Sequence, residues 1–88
     1  MLRVYKKKNF EIYGYKNAYI IYNKNKPFET GHSHIKSFKT AKYIINLAIH
    51  KTVPKHLSIY LYESLLRISS DNIYKQKIRR KIDEEKLK

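Results

Sequence analysis

The chain has 88 residues, no Cys and 2 Gly, and it sets 20 Lys and Arg against 7 Asp and Glu for a formal net charge of +13. That length leaves room for one small domain with a modest core, and the composition excludes disulfides, thiolate metal sites and a glycine-rich phosphate loop. The longest apolar run, residues 43–49, is interrupted by Asn46, so no segment is expected to span a bilayer. The first ten residues are charged and lack the apolar stretch of a secretory signal, so a cytoplasmic location is the expectation.

Residues 2–23 are expected to be strands. LRVYK, FEIYGY and AYIIYN are rich in Tyr, Ile and Val, with polar breaks between them. A two-residue turn at Lys16-Asn17 would put Phe10, Ile12, Tyr19 and Ile21 on one face and Tyr13, Tyr15, Ile20 and Tyr22 on the other. Gly14 could shift the register by one residue and exchange the faces.

Residues 24–36, containing Pro27 and Gly31, are expected to be a connector. Helices then follow over about residues 38–51, 54–68 and 72–86. Phe38, Ala41, Ile45 and Ala48 recur at helical spacing behind Ser37, a candidate cap. Pro54 suits the first turn of a second helix, in which Leu57, Leu61, Leu65 and Ile68 form one stripe and Ile59, Tyr62 and Leu66 another. Such a helix belongs in the centre of a small domain. The third helix has only Tyr74, Ile78 and Ile82 as an apolar stripe, and Arg79–Asp83, Arg80–Glu84 and Lys81–Glu85 stand at ion-pair spacing. The fold class that follows is α+β: an N-terminal antiparallel β-hairpin or three-strand meander, then a three-helix, helix-turn-helix-like unit, in a single domain over residues 1–88.

The charge is uneven. Residues 1–62 carry 12 basic and 2 acidic residues, whereas residues 63–88 carry 8 and 5. Lys, Asn, Ile, Tyr and Phe, whose codons need only A and T, make up about half of the chain, so coding bias accounts for part of the Lys and Tyr content. It does not account for the scarcity of Asp and Glu, whose codons need a single G. A chain of this charge attracts polyanions, nucleic acid first and acidic protein surfaces second, and no membrane partner is expected.

In a helix-turn-helix plan the second helix enters the major groove and its early residues meet base edges. Here those positions hold Asn72, Lys75, Gln76, Arg79 and Arg80. Asn and Gln can bond adenine bidentately, and Arg can do the same with guanine. Lys36, Lys39, Lys42 and Lys55 are candidates for phosphate contacts, which set register without reading sequence. The bland alternative is a solvated helix face on a Lys-rich protein. Tyr13, Tyr15 and Tyr22, interleaved with Lys6, Lys16 and Lys24, are candidates for stacking unpaired bases or for anchoring a protein partner. Tyr is also simply a good strand former.

His32-Ser33-His34 would point both imidazoles the same way in extended backbone. A metal site needs a third ligand, from His50, His56 or Glu29, and no carboxylate pair is available for a hard cation. The ordered spacing of a ββα-metal nuclease is absent. The expectation is no metal, no cofactor and no enzymatic activity, with His32 and His34 serving as loop residues that bond nearby backbone.

At GHSHI, followed by VPKHLSIYLYESLLRISSDNIYKQKI, the chain resembles small proteins carried by phages, conjugative plasmids and integrated elements of low-GC Gram-positive bacteria. The resemblance covers most of residues 10–78 and carries no motif of assigned chemistry. It implies an accessory role near DNA or in blocking a host enzyme. The functional expectation is a non-enzymatic DNA-binding accessory protein, with an inhibitor that binds a host protein as the alternative. A dimer is plausible and would call for two half-sites about one helical turn apart.

Overall fold

A computed structural model describes residues 2–88. Four strands and four helices follow one another as β1 (Leu2–Lys7), β2 (Phe10–Tyr15), β3 (Ala18–Asn23), α1 (Phe28–Gly31), β4 (His32–Ile35), α2 (Phe38–His50), α3 (Ile59–Ile68) and α4 (Asn72–Lys86). The class is α+β, with the antiparallel meander β1-β2-β3 at the N-terminus and β4 added beside β3. Among the described residues, no helix is long and apolar enough to cross a membrane.

The β2–β3 turn decides which side of the sheet is the core. Lys16 and Asn17 both take positive φ, 44° and 58°, as a two-residue primed turn requires. Tyr15 then faces Ala18, Ile12 faces Ile21 and Phe10 faces Asn23. Phe10, Ile12 and Ile21 are buried on the inner face, with Tyr19 packed beside them. Gly14 pairs with Tyr19 and leaves this register intact. In β1 an irregularity at Val4 lets Arg3 face Tyr13 and Tyr5 face Ile12, so Tyr5 turns inward while Arg3 and Lys6 turn outward.

The expected connector over residues 24–36 needs correction. Its second half contains one turn of helix, α1, and the edge strand β4, which pairs with β3 from Tyr19↔Ile35 to Tyr22↔His32. Ser33 and Ile35 point inward, and the Ser33 hydroxyl donates to Ser64 at 2.7 Å inside the core. A four-residue strand with two His on its solvent side offers too short an alternation to stand out in sequence. The outer edge of β4 is covered by α3. Arg67 Nε donates to the His32 carbonyl at 2.8 Å, and the Tyr60 hydroxyl donates to the His34 carbonyl.

The helices lie on the inner face. Ser37 caps α2 by accepting from the Thr40 N–H at 3.3 Å, and Ala41, Ile44, Ile45, Leu47 and Ala48 are buried. Lys51, in the left-handed conformation, ends the helix. The expected start of the next helix at Pro54 is also corrected. Helix α3 begins at Ile59, behind Ser58, whose hydroxyl accepts from the Leu61 N–H. A helix starting at Pro54 would need the Pro54 carbonyl for its own first turn. That carbonyl instead accepts the hydroxyl of Tyr62, which is fully buried.

Asn23, with no exposed surface, joins sheet to helices. Its Nδ2 donates to the Ile68 carbonyl at 2.8 Å, and its Oδ1 accepts from Asn9 Nδ2 at 2.7 Å and from the Asn25 N–H at 2.9 Å. Helix α4 forms an outer layer. It packs on α3 through Tyr74, Ile78 and Ile82, and the Tyr74 hydroxyl donates to the Leu47 and Thr52 carbonyls at the end of α2.

Candidate nucleic-acid interface

Helix α4 is fixed at its start. Asp71 accepts from the Ile73 and Tyr74 N–H groups and pairs with Lys51 at 2.7 Å. Hydrogen bonding from Lys51 and the helix N–H groups holds the Asp71 carboxyl below its ordinary pKa. Burial pushes the Tyr74 phenol up, so it is a neutral donor at any physiological pH. These anchors use one narrow stripe. The remaining circumference of the first turns carries exposed Asn72, Ile73, Gln76, Lys77, Arg79 and Arg80, with Lys75 half-buried beside them.

Of the three ion pairs expected on this helix, Lys81–Glu85 forms and the two arginine pairs do not. Lys81 pairs with Glu85 at 3.4 Å and with Glu84 at 3.6 Å. Among the described residues, Arg79 and Arg80 make no ion pair, nor do Lys75 and Lys77. Glu84, the expected partner of Arg80, is drawn to Lys81 instead, and Asp83 makes no pair among the described residues. The structure therefore brings all five expected base-reading residues to one surface and adds two that the pattern search passed over. Ile73 was missed because an apolar residue beside an apolar stripe reads as core, yet it is 70% exposed. Lys77 was missed only as one lysine among many.

The four expected phosphate contacts lie on other segments of the chain. Lys55 lies in the 51–58 segment, whose Thr52 and Pro54 carbonyls meet Tyr74 and Tyr62. Lys36 follows β4 at the other end of the domain. Lys39 is exposed on the first turn of α2, and Lys42 lies 5.1 Å from the Phe38 ring centroid and 5.8 Å from that of Tyr5. Lys26 is the cation that sequence inspection did not single out near the start of α4. It donates to the Arg67 and Ser69 carbonyls at the end of α3. Burial, then the nearby charges of Lys75 and Arg67, lowers its pKa. A cleft of about 290 Å³ opens beside it, lined by Lys8, Asn9, Asn25, Lys51, Ser70 and Asp71 among others.

The outer face of the sheet is the second surface. Strand pairing sets Lys6, Glu11, Tyr22 and His32 in one row across the sheet, and Arg3, Tyr13, Ile20 and His34 in the next. Glu11 is 3% exposed. Its carboxylate accepts from Arg3 and from the Tyr13 hydroxyl, both at 2.8 Å. Burial alone would raise its pKa, but those two hydrogen bonds together with the charges of Lys24 and Arg3 outweigh it and hold the carboxyl below its usual range. The same bond raises the Tyr13 phenol. Tyr22 donates to the Lys26 carbonyl at 3.0 Å. Of the three expected stacking residues, Tyr13 and Tyr22 are thus half-buried with committed hydroxyls, and Tyr15 is open.

His32 and His34 do point the same way, with ring centroids 5.3 Å apart. Their companions are aromatic. Phe28 stacks on His32 at 4.3 Å and sits 5.2 Å from Tyr22. His32 Nδ1 faces the Phe28 carbonyl, so that nitrogen carries the proton. His50 ends α2 and His56 lies in the 51–58 segment, away from the pair. Among the described residues, no group of three or more His, Cys, Asp or Glu is placed to hold an ion. Comparison with models of protein families, with curated proteins and with solved structures finds no match for this chain.

Proposed function

We propose that this protein is a non-enzymatic, duplex-DNA-binding accessory protein that presents α4 to the major groove. What supports it is the free face of α4: Asn72, Ile73, Gln76, Lys77, Arg79 and Arg80 exposed over the first turns, with no acidic partner for the cations among the described residues. Asn72 and Gln76 suit adenine, Arg79 and Arg80 suit guanine, and Ile73 suits a thymine methyl group. The α3–α4 turn is rigidly held by Asp71, Ser69 and Tyr74, so the helix would enter a groove without first being ordered. The origin in a mobile element belongs to the same proposal and rests on the sequence resemblance alone.

The test is a salt titration of binding to duplex DNA. Log K should fall with log salt by about 0.9 for each phosphate neutralised. Arg79→Ala should cost about 1–3 kcal/mol and relax sequence preference at one position. Lys77→Ala, if it meets phosphate, should weaken all sequences alike. Absence of any retention on duplex DNA at low salt sinks this function. A one-to-one complex with a host protein that survives nuclease digestion would favour the inhibitor role instead.

A further inference from the structure

We infer that the face of the sheet turned away from α2, α3 and α4 is a second binding surface, for single-stranded nucleic acid, with Tyr15, Phe28 and His34 as the rings on which bases stack. Helices α2 and α3 cover the inner face of the sheet, and α4 lies beyond them. The outer face is thus opposite α4, and the two surfaces are separate.

The available rings are the first reason. Tyr15 is 43% and Phe28 37% exposed, and His34 is exposed at the end of its row. They stand on a firm base. Ile20, between Tyr13 and His34 in its row on the outer face, is only 4% exposed. The Tyr13 and Tyr22 hydroxyls are held by Glu11 and by the Lys26 carbonyl, and Phe28 is held against His32 and Tyr22. A ring fixed before binding loses little freedom on stacking.

Charge selects the partner. Lys6, Lys16, Lys24 and Lys36 are exposed around this face, and none of them makes an ion pair among the described residues. Among the described residues, the only carboxylate within the face is Glu11, buried and paired with Arg3; Glu29 stands at the α1 rim. A positive rim around aromatic rings matches a polyanion whose bases are free to splay outward. Bases inside a duplex are already stacked on one another and cannot reach flat rings. Lys36, expected from the sequence to meet phosphate, is exposed just past β4, two residues beyond His34 on the outward alternation of that strand, and so borders this surface.

The experiment compares a fluorescent oligothymidylate of about 12 nucleotides, a length within reach of one small domain, with a labelled duplex, using fluorescence anisotropy at low salt. Tyr15→Ala/His34→Ala should weaken oligothymidylate binding about tenfold or more and leave duplex binding unchanged. Tyr15→Phe/His34→Phe should retain binding, and equal melting temperatures would show that all variants fold. Arg79→Ala/Arg80→Ala should do the reverse, weakening the duplex only, which separates failure of this surface from failure of α4. The inference is overturned if the wild type does not bind the oligomer, or if the alanine pair binds it as well as the wild type. It is equally overturned if the phenylalanine pair loses as much as the alanine pair, or if the alanine pair abolishes capture of a protein partner while oligomer binding persists.

Discussion

Gly31 stands in the expected connector and ends α1, and its φ is not positive, so backbone freedom is not what calls for glycine here. The requirement is space. A Cβ on Gly31 would lie 2.7 Å from Lys26 Cβ and 3.3 Å from the Asn23 carbonyl oxygen. Both neighbours are immobile, because Asn23 is buried with its amide committed and Lys26 reaches the carbonyls at the end of α3. Gly31→Ala should therefore destabilise the domain by about 1–3 kcal/mol, the usual range for overpacking. At Gly14 the nearest atoms to a new Cβ would be 3.9 Å away, and Gly14→Ala should stay within about 0.5 kcal/mol of the wild type. Urea denaturation of both variants checks the contrast; equal effects would refute it.

Among the elements, the sheet is unusual in having a packed layer on each side. Helices cover the inner face, while the outer face closes over Ile20 and Glu11 with its own side chains. Glu11 is the polar centre of that layer, and its lowered pKa gives a pH test. A carboxylate with a depressed folded pKa stabilises most above the unfolded pKa of about 4.3 and loses that contribution as pH falls through the folded value. Glu11→Gln should cost about 1–2 kcal/mol at neutral pH, since one buried hydrogen-bonded carboxylate is replaced by a poorer acceptor. The gap between wild type and variant should narrow as pH drops below about 4. A gap that stays constant down to acid denaturation would mean that Glu11 is not an ionised partner of Arg3 and Tyr13.

At the scale of the whole molecule, net charge acts against compactness. The domain measures 38 × 24 × 21 Å, comparable to the Debye length of about 30 Å at 10 mM salt and well beyond the roughly 8 Å at physiological salt. At low salt most of the 20 cations repel one another across the fold. Salt should therefore raise the melting temperature while it weakens polyanion binding. A rise of roughly 4–8 °C between low and physiological salt corresponds to about 1 kcal/mol in a domain of this size. A flat or falling melting temperature in differential scanning calorimetry would show that the charges are already well dispersed. The opposite signs also mean that loss of DNA at high salt cannot be put down to unfolding.

Local pattern by itself determined the α+β class, the inner face Phe10, Ile12, Tyr19 and Ile21, the cap at Ser37, and the stripe Tyr74, Ile78 and Ile82. All of these depend on neighbours a few residues apart, where the period of side-chain direction is set by local backbone geometry. Contacts between distant residues decided the rest. Pairing with β3 made a strand of His32–Ile35. The Tyr62 hydroxyl on the Pro54 carbonyl moved the start of α3 to Ile59. Lys81 took Glu84, the acid that spacing had assigned to Arg80. The same holds for the candidate surfaces. The basic face of α4 was legible because a helix keeps its own register. That Phe28, His34 and Tyr15 lie on one side of the sheet was not, because residues spread over 20 positions of sequence come to one face only when the strands have paired.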